Sequence, residues 1–149
     1  MHAFMIIAHR QFDLLEKLIA ALDDERNDIF VHIDSKAHDF DFKKFKALPR
    51  QSRIFFTPQV NVTWGDFSQV RCEMLLLAEV DKMQKSGTKY EYVHLISGAD
   101  LPIKSNNQIH AFFKENNGLQ FVHFTDDKAT KESENRIRYY HLFRRHRNI

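Results

Sequence analysis

The 149 residues predict an α/β fold, a mainly parallel sheet with helices on both faces, and three observations carry that expectation. Short apolar runs rich in strand formers (AFMIIA, IFVHI, RIFFT) alternate with segments whose apolar residues recur at helical spacing. The connections between them are short, which implies successive β-α-β units. The chain is the size of one domain, and 43% hydrophobic with 13% aromatic content is ample for its core.

The elements follow in order. Ala3 to Ala8 reads as a buried strand, and Phe12, Leu15, Leu18, Ile19 and Leu22 then recur as one helical face over Gln11 to Leu22. Asn27 and Asp28 punctuate before a second strand, Ile29 to Ile33. The Asp39-Phe40-Asp41 sequence runs into a helical FKKFKAL, which favours Asp41 as a helix N-cap over half of a cation-binding pair. Arg53 to Thr57 is the third strand.

Asp66 and Gln69 resemble a capping box that opens a helix running to about Lys85, with Val70, Met74, Leu77 and Val80 as its packed face and Gly87 as its stop. Tyr92 to Ile96 is an apolar strand ended by Ser97-Gly98, after which Pro102 stiffens the loop holding Asp100 and Lys104. Ser105 and Gln108 form a second capping box, with Ile109, Phe112 and Phe113 as a buried stripe and Gly118 as the stop. Gln120 to Phe124 reads as a further strand.

Composition narrows the function. A net charge of +2 makes the whole molecule no obvious polyanion binder, although Arg136 to Arg147 holds five arginines and two histidines without an acid. No nucleic-acid-binding pattern accompanies that cluster, which reads as a phosphate contact or as a solvated helix face. The single cysteine, Cys72, excludes an intrachain disulfide framework and fits a reducing compartment. No run has the length of a membrane span or the layout of a signal peptide, while the basic C-terminal end suits peripheral membrane contact.

The usual phosphate cradles, G-x-G-x-x-G and G-x-x-x-x-G-K-[ST], are missing, as is the G-x-S-x-G of many hydrolases. Open α/β sheets bind ligands beyond the carboxyl ends of their strands. By that rule His9, Arg10, Asp34, Lys36, Gly98 and Asp100 gather at one rim, suited to a ligand with hydroxyls and negative charge. His32 and Asp34 form H-x-D, a metal hint whose bland alternative is a buried, hydrogen-bonded histidine beside a ligand-facing carboxylate. His94 and His123, also within predicted strands, favour sheet packing in the same way. Trp64 is either a flat face for a sugar or base or a core anchor, and Asp126-Asp127, beyond a strand, is either a loop or cap pair or an acidic pair better placed than Asp39-Asp41 to hold a cation.

The segments IIAHR, IFVHIDSK, VNVTWGDFSQV, YVHLISGADLPIKSNNQIHAFF and RIRYYHLF, in that order, resemble the core-2/I-branching N-acetylglucosaminyltransferase family, which includes the peptide O-xylosyltransferases. The resemblance covers nearly the whole chain and points to a bacterial member. It implies a GT-A, Rossmann-like fold, incomplete at the C-terminus, and an inverting transfer of a sugar from a UDP-sugar to a glycan hydroxyl, by default N-acetylglucosamine, with no metal ion.

By the same resemblance His9, Arg10, Asp34 and Lys36 border the uridine pocket, with Trp64 also on the nucleotide-sugar side. Gly98 and Asp100 lie near the diphosphate and donor sugar, where G-A-D-L-P replaces a metal-binding D-x-D. Arg136 and Arg138 approach the acceptor. Residues 1–125 are then the nucleotide-sugar-binding domain and 126–149 the start of an acceptor-side region.

The general base of an inverting transfer is expected beyond Ile149, so residues 1–149 alone are expected to be inactive. Cytoplasmic placement, at the inner face of the membrane, and self-association through exposed apolar surface accompany this reading. The alternatives are a non-catalytic UDP-sugar-binding or interaction fragment and a metal-dependent hydrolase built on His32 and Asp34.

Overall fold

The computed structural model describes residues 1–63, 65–122 and Arg138. The chain divides into two units, Met1–Lys114 and Glu115–Ile149, and the sheet lies wholly in the first. Its elements run β1 (His2–Ala8), α1 (Phe12–Leu22), β2 (Asn27–Ile33), α2 (Phe42–Lys46), β3 (Arg53–Phe56), α3 (Phe67–Lys85), β4 (Tyr92–Ser97) and α4 (Asn106–Glu115). The four strands pair in the order β3-β2-β1-β4, all parallel, as the alternation of strand and helix predicts.

Strand alternation splits the core into two layers. Phe4, Ile6 and Ala8 of β1, Ile29, Val31 and Ile33 of β2, and Ile54 and Phe56 of β3 face Leu15, Leu18, Ile19 and Leu22 of α1, Phe45 of α2 and Ile109 of α4. On the other face Ala3, Met5, Phe30 and Phe55 meet Leu76, Val80 and Met83 of α3. The central strands β1 and β2 are covered on both sides, so both read as near-continuous apolar runs.

Helix starts follow the expected capping chemistry. The Asp41 carboxylate accepts from the Lys43 and Lys44 amides at 3.0 Å, so it caps α2. Asp66 accepts from the Ser68 amide at 2.8 Å, while Gln69 reaches back to the Gly65 amide, one residue before the cap, at 2.6 Å. Ser105 and Gln108 close the reciprocal box at 3.1 and 3.4 Å. Gly87, at φ 105, ends α3, with the Thr88 amide donating back to the Met83 carbonyl.

Three expectations change. The packed face of α3 is Ser68, Cys72, Leu76 and Val80, not Val70, Met74, Leu77 and Val80. Val70, Met74 and Leu77 join Phe67, 72% exposed, in a stripe on the opposite side of the helix. The sequence offers two apolar stripes, and the smaller side chains Ser68 and Cys72 let the backbone of α3 approach the sheet. In α4, Ile109 and Phe113 are half-buried as expected, but Phe112 is exposed. Gln120, Phe121 and Val122 form no strand, and His123 and Phe124 lie outside the described residues.

Candidate functional site

Three strand tips meet at the carboxyl ends of the sheet. The Asp34 amide donates to the Ala8 carbonyl at 3.0 Å, joining the tips of β2 and β1. On the other flank of β1 the Gly98 amide donates to the Ile7 carbonyl at 2.9 Å. A Cβ at position 98 would stand 2.6 Å from the Ala8 Cβ, so only glycine permits this approach of β4 to β1.

The chain builds β1, β2 and β3 outward on one side and then returns to lay β4 against the other side of β1. Such a reversal of strand order opens a crevice beyond the carboxyl ends, here between the loop after β1 and the loop after β4. His9, Arg10, Asp34, Lys36, Gly98 and Asp100 therefore share one rim. Sequence reasoning from strand ends finds all six.

Each tip presents its side chains differently. His9 and Arg10 are exposed and make no hydrogen bond or ion pair among the described residues. Gln11 follows at φ 55, a left-handed conformation uncommon outside glycine, and its carbonyl accepts from the Leu14 and Leu15 amides to start α1. That kink turns the chain from strand to helix within three residues, and the sequence gives no signal for it.

Asp34 is only 4% exposed, with Oδ1 accepting from the Lys36 amide at 2.9 Å and Oδ2 lying 3.5 Å from the Lys36 ammonium. Lys36 also donates to the Val62 carbonyl. Asp100 is exposed and turns back on its own loop, where Oδ2 accepts from the Ser97 amide at 2.7 Å. Lys104 is exposed on the same loop, beside Ile103 at 93% exposure.

A strap covers the tip of β2, and no sequence pattern marks it. The residues after β3 fold against it, with Ser35 donating to the Val60 carbonyl at 3.0 Å and the Gln59 amide group donating to the Asp34 carbonyl at 3.3 Å. Thr57 Oγ1 lies 2.7 Å from Nδ1 of fully buried His32. His32 is thus tied into the packing between β2 and β3, and its Nε2 has no hydrogen-bond partner among the described residues. Burial pushes its pKa below the ordinary histidine value, with the Asp34 charge opposing. Burial likewise raises the thiol of Cys72, helped by the Asp34 charge, and its Sγ hydrogen points to the Ser68 carbonyl at 3.1 Å.

The H-x-D pair therefore divides its labour: His32 braces the strand, and Asp34 stands at the crevice. Among the described residues no group of three or more histidine, cysteine or carboxylate side chains is arranged to hold a metal ion. No helix among them is long and apolar enough to cross a membrane. Trp64, Arg136 and the Asp126-Asp127 pair lie outside the described residues, and Arg138 is an exposed helical residue of the second unit.

A rim of this kind, one recessed carboxylate among exposed cationic side chains, is suited to a polyhydroxylated ligand carrying negative charge. Comparison with known proteins points the same way. The family model described as Core-2/I-Branching enzyme matches residues 2–148. The chain is 25% identical over 122 residues to xylosyltransferase 2 of Canis lupus familiaris, covering 80% of this chain and 14% of that protein. It is 24% identical over 148 residues to a Mus musculus beta-1,3-galactosyl-O-glycosyl-glycoprotein beta-1,6-N-acetylglucosaminyltransferase 4, covering 95% and 30%.

A third relative, the Homo sapiens N-acetyllactosaminide beta-1,6-N-acetylglucosaminyl-transferase, is 26% identical over 118 residues, covering 75% and 28%. The chain spans 14% to 30% of the length of these relatives. With the parallel sheet and its switch-point crevice in place, a match over almost every residue settles the kinship: the chain belongs to the core-2/I-branching enzyme family.

Proposed function

We propose that the chain forms the nucleotide-sugar-binding part of an inverting glycosyltransferase that moves a sugar, by family default N-acetylglucosamine, from a UDP-sugar to a hydroxyl of a glycan. The convergence of the β1, β2 and β4 tips carries this reading, because it gathers hydrogen-bonding and cationic groups around one crevice. Asp34 accepts hydrogen bonds from the ribose or uracil. Arg10 and Lys36 face the diphosphate, and the backbone at Gly98 lets it approach the sheet closely.

Transfer with inversion needs the anomeric carbon exposed on the face away from the nucleotide, so the donor sugar lies towards the β4–α4 loop, near Asp100 and Lys104. Positive side chains stabilise the charge that builds on the leaving diphosphate without a bound cation. Relatives named as xylosyltransferases and N-acetylglucosaminyltransferases support the group-transfer class. Placement at the cytoplasmic face of a membrane belongs to the same proposal.

A second reading, a UDP-sugar-binding module without catalysis, is favoured by the rim carboxylates Asp34 and Asp100 being engaged by Lys36 and the Ser97 amide rather than poised as a general base. Calorimetry of UDP, UDP-N-acetylglucosamine and UDP-xylose titrated into the chain with chelator present tests the shared core of both readings. Saturable heat is expected, weakened at least about tenfold by Asp34→Asn through loss of a charged acceptor. No heat from any of the three would overturn it. Release of UDP in the presence of glycan acceptors then separates transfer from binding alone.

A further inference from the structure

At the end of the sheet opposite the rim, β1, β4 and α4 meet in a stack of imidazoles that the proposed chemistry does not use. His2, the first residue of β1, is 1% exposed, and its ring centroid lies 4.1 Å from that of His110 on α4 and 5.1 Å from that of His94 on β4. Phe4 stacks on His94 at 4.6 Å, and Phe113 of α4 closes the group at 4.7 Å from His94 and 5.4 Å from His2. Nε2 of His94 stands 3.1 Å from Nδ1 of His2. Such a bond holds one proton: one nitrogen donates and the other must be a bare acceptor.

The stack is also where α4 is tied down. His110 Nε2 lies 2.8 Å from the Asn27 amide oxygen, and Asn27 donates to the Leu22 carbonyl and to Asn106 at the start of α4. Asn106 in turn donates to the Ala21 carbonyl at 3.0 Å, and Arg26 donates to Asn107 at 2.7 Å.

We propose that the His2, His94 and His110 stack is an acid-released latch, docking α4 on the sheet while its rings are neutral and freeing it when they take up protons. A proton added to the His2–His94 pair sets two N–H donors against each other at 3.1 Å, inside a box of aromatic rings. The charged groups facing the stack give little relief. Asp24 is held by Arg26 at 2.6 Å and Glu91 lies 3.7 Å from the N-terminal amine, so each nearby acid already has a cation. Arg26 and that amine themselves repel a charged His2.

Burial, reinforced by the neighbouring rings, holds His2 down at about 3 and His94 at about 4, and burial also lowers His110. Because α4 follows the loop bearing Asp100 and Lys104, its release also frees one wall of the rim. The latch does not depend on what that rim binds.

Amide hydrogen exchange of the full chain by NMR, at pH 7 and pH 5 and corrected for intrinsic rates, reads the opening of α4 directly. Solvated histidines with an ordinary pKa of 6.5 gain about 25-fold each in protonated weight over that interval, so opening of α4 should rise by up to about 500-fold from His2 and His94. Global unfolding exposes the same histidines, so the comparison is one of population: at pH 5 the opening of α4 should exceed that of α3 by at least about tenfold. Equal opening of α3 and α4 at pH 5, or no change in α4 between the two pH values, would overturn the latch.

His2→Phe with His94→Phe, in a box already aromatic, should reduce the pH response of α4 to at most what His110 alone contributes, about 25-fold. Should that variant fail to fold, imidazole NMR of the unaltered chain decides. His2 and His94 should remain one donor and one acceptor to pH 5, and titration near 6.5 with α4 still docked would refute the proposal.

Discussion

At the lower end of the sheet, where the strands begin, the described charges and polar groups sit in a closed set of partners. Buried Asp28 takes Nε of Arg53 at 2.9 Å and the hydroxyl of Tyr90 as well, while Asp23 accepts from the amides of Arg50, Gln51 and Ser52. At the upper rim the same four strands end in His9 and Arg10, exposed and without a polar partner among the described residues, and in a recessed Asp34 whose ammonium partner is 58% exposed. One end spends its polar chemistry on the fold, and the other keeps it available. The difference teaches where to look for function: buried polar groups that are fully paired hold structure, whereas cationic groups gathered around a crevice await a ligand.

The largest effect should come from breaking the lower end. Asp28→Ala leaves Tyr90 and the Arg53 guanidinium without their acceptor and should cost about 3 kcal/mol in urea unfolding, with UDP affinity unchanged in the molecules that remain folded. Acid should act on the same end. His2 and His94 are neutral in the fold with lowered pKa values, so the unfolded chain binds more protons between about 3 and 6.5. Their contribution is full above 6.5 and lost as pH falls towards their folded values, about 2 kcal/mol per histidine between pH 7 and pH 5. Urea midpoints measured across that interval check the sign.

Gly98→Ala sits between the two regimes, since a methyl 2.6 Å from the Ala8 Cβ pushes β4 from β1 and should cost about 1–3 kcal/mol while weakening nucleotide binding. Ala8→Gly in the same chain should restore much of both losses, and a lack of rescue would show that the close approach is not the cause. Arg10→Ala should be the mildest for folding, within about 0.5 kcal/mol, yet under the proposed role facing the diphosphate it should weaken UDP more than uridine. Equal loss for both ligands would remove Arg10 from that role.

How much of this the amino acids disclose depends on whether a local rule or a tertiary choice decides. Strand cores and helix caps are local, so Ala3 to Ala8, Ile29 to Ile33, Asp41, Asp66 and Ser105 all read directly. Strand starts are not, because His2, Asn27 and Asp28 are polar and enter β1 and β2 through partners distant in the chain. The packed face of α3 is undecidable from periodicity when both of its faces are apolar; close approach at Ser68 and Cys72 chooses. The rim was legible because strand polarity alone places its residues. The strap from Thr57 to Val62 and the left-handed Gln11 were not, since backbone hydrogen bonds and one dihedral define them and neither leaves a pattern in side-chain type.

The central claim is that the converging tips of β1, β2 and β4 form the nucleotide-binding crevice. Backbone amide NMR shifts on titration with UDP, chelator present, test it most directly. The account predicts saturable shifts at His9, Arg10, Asp34, Lys36, Gly98 and Asp100, with His2, Asp28 and Tyr90 at the far end of the sheet unmoved. Saturable shifts that avoid the rim, or that cluster at that far end, would contradict it.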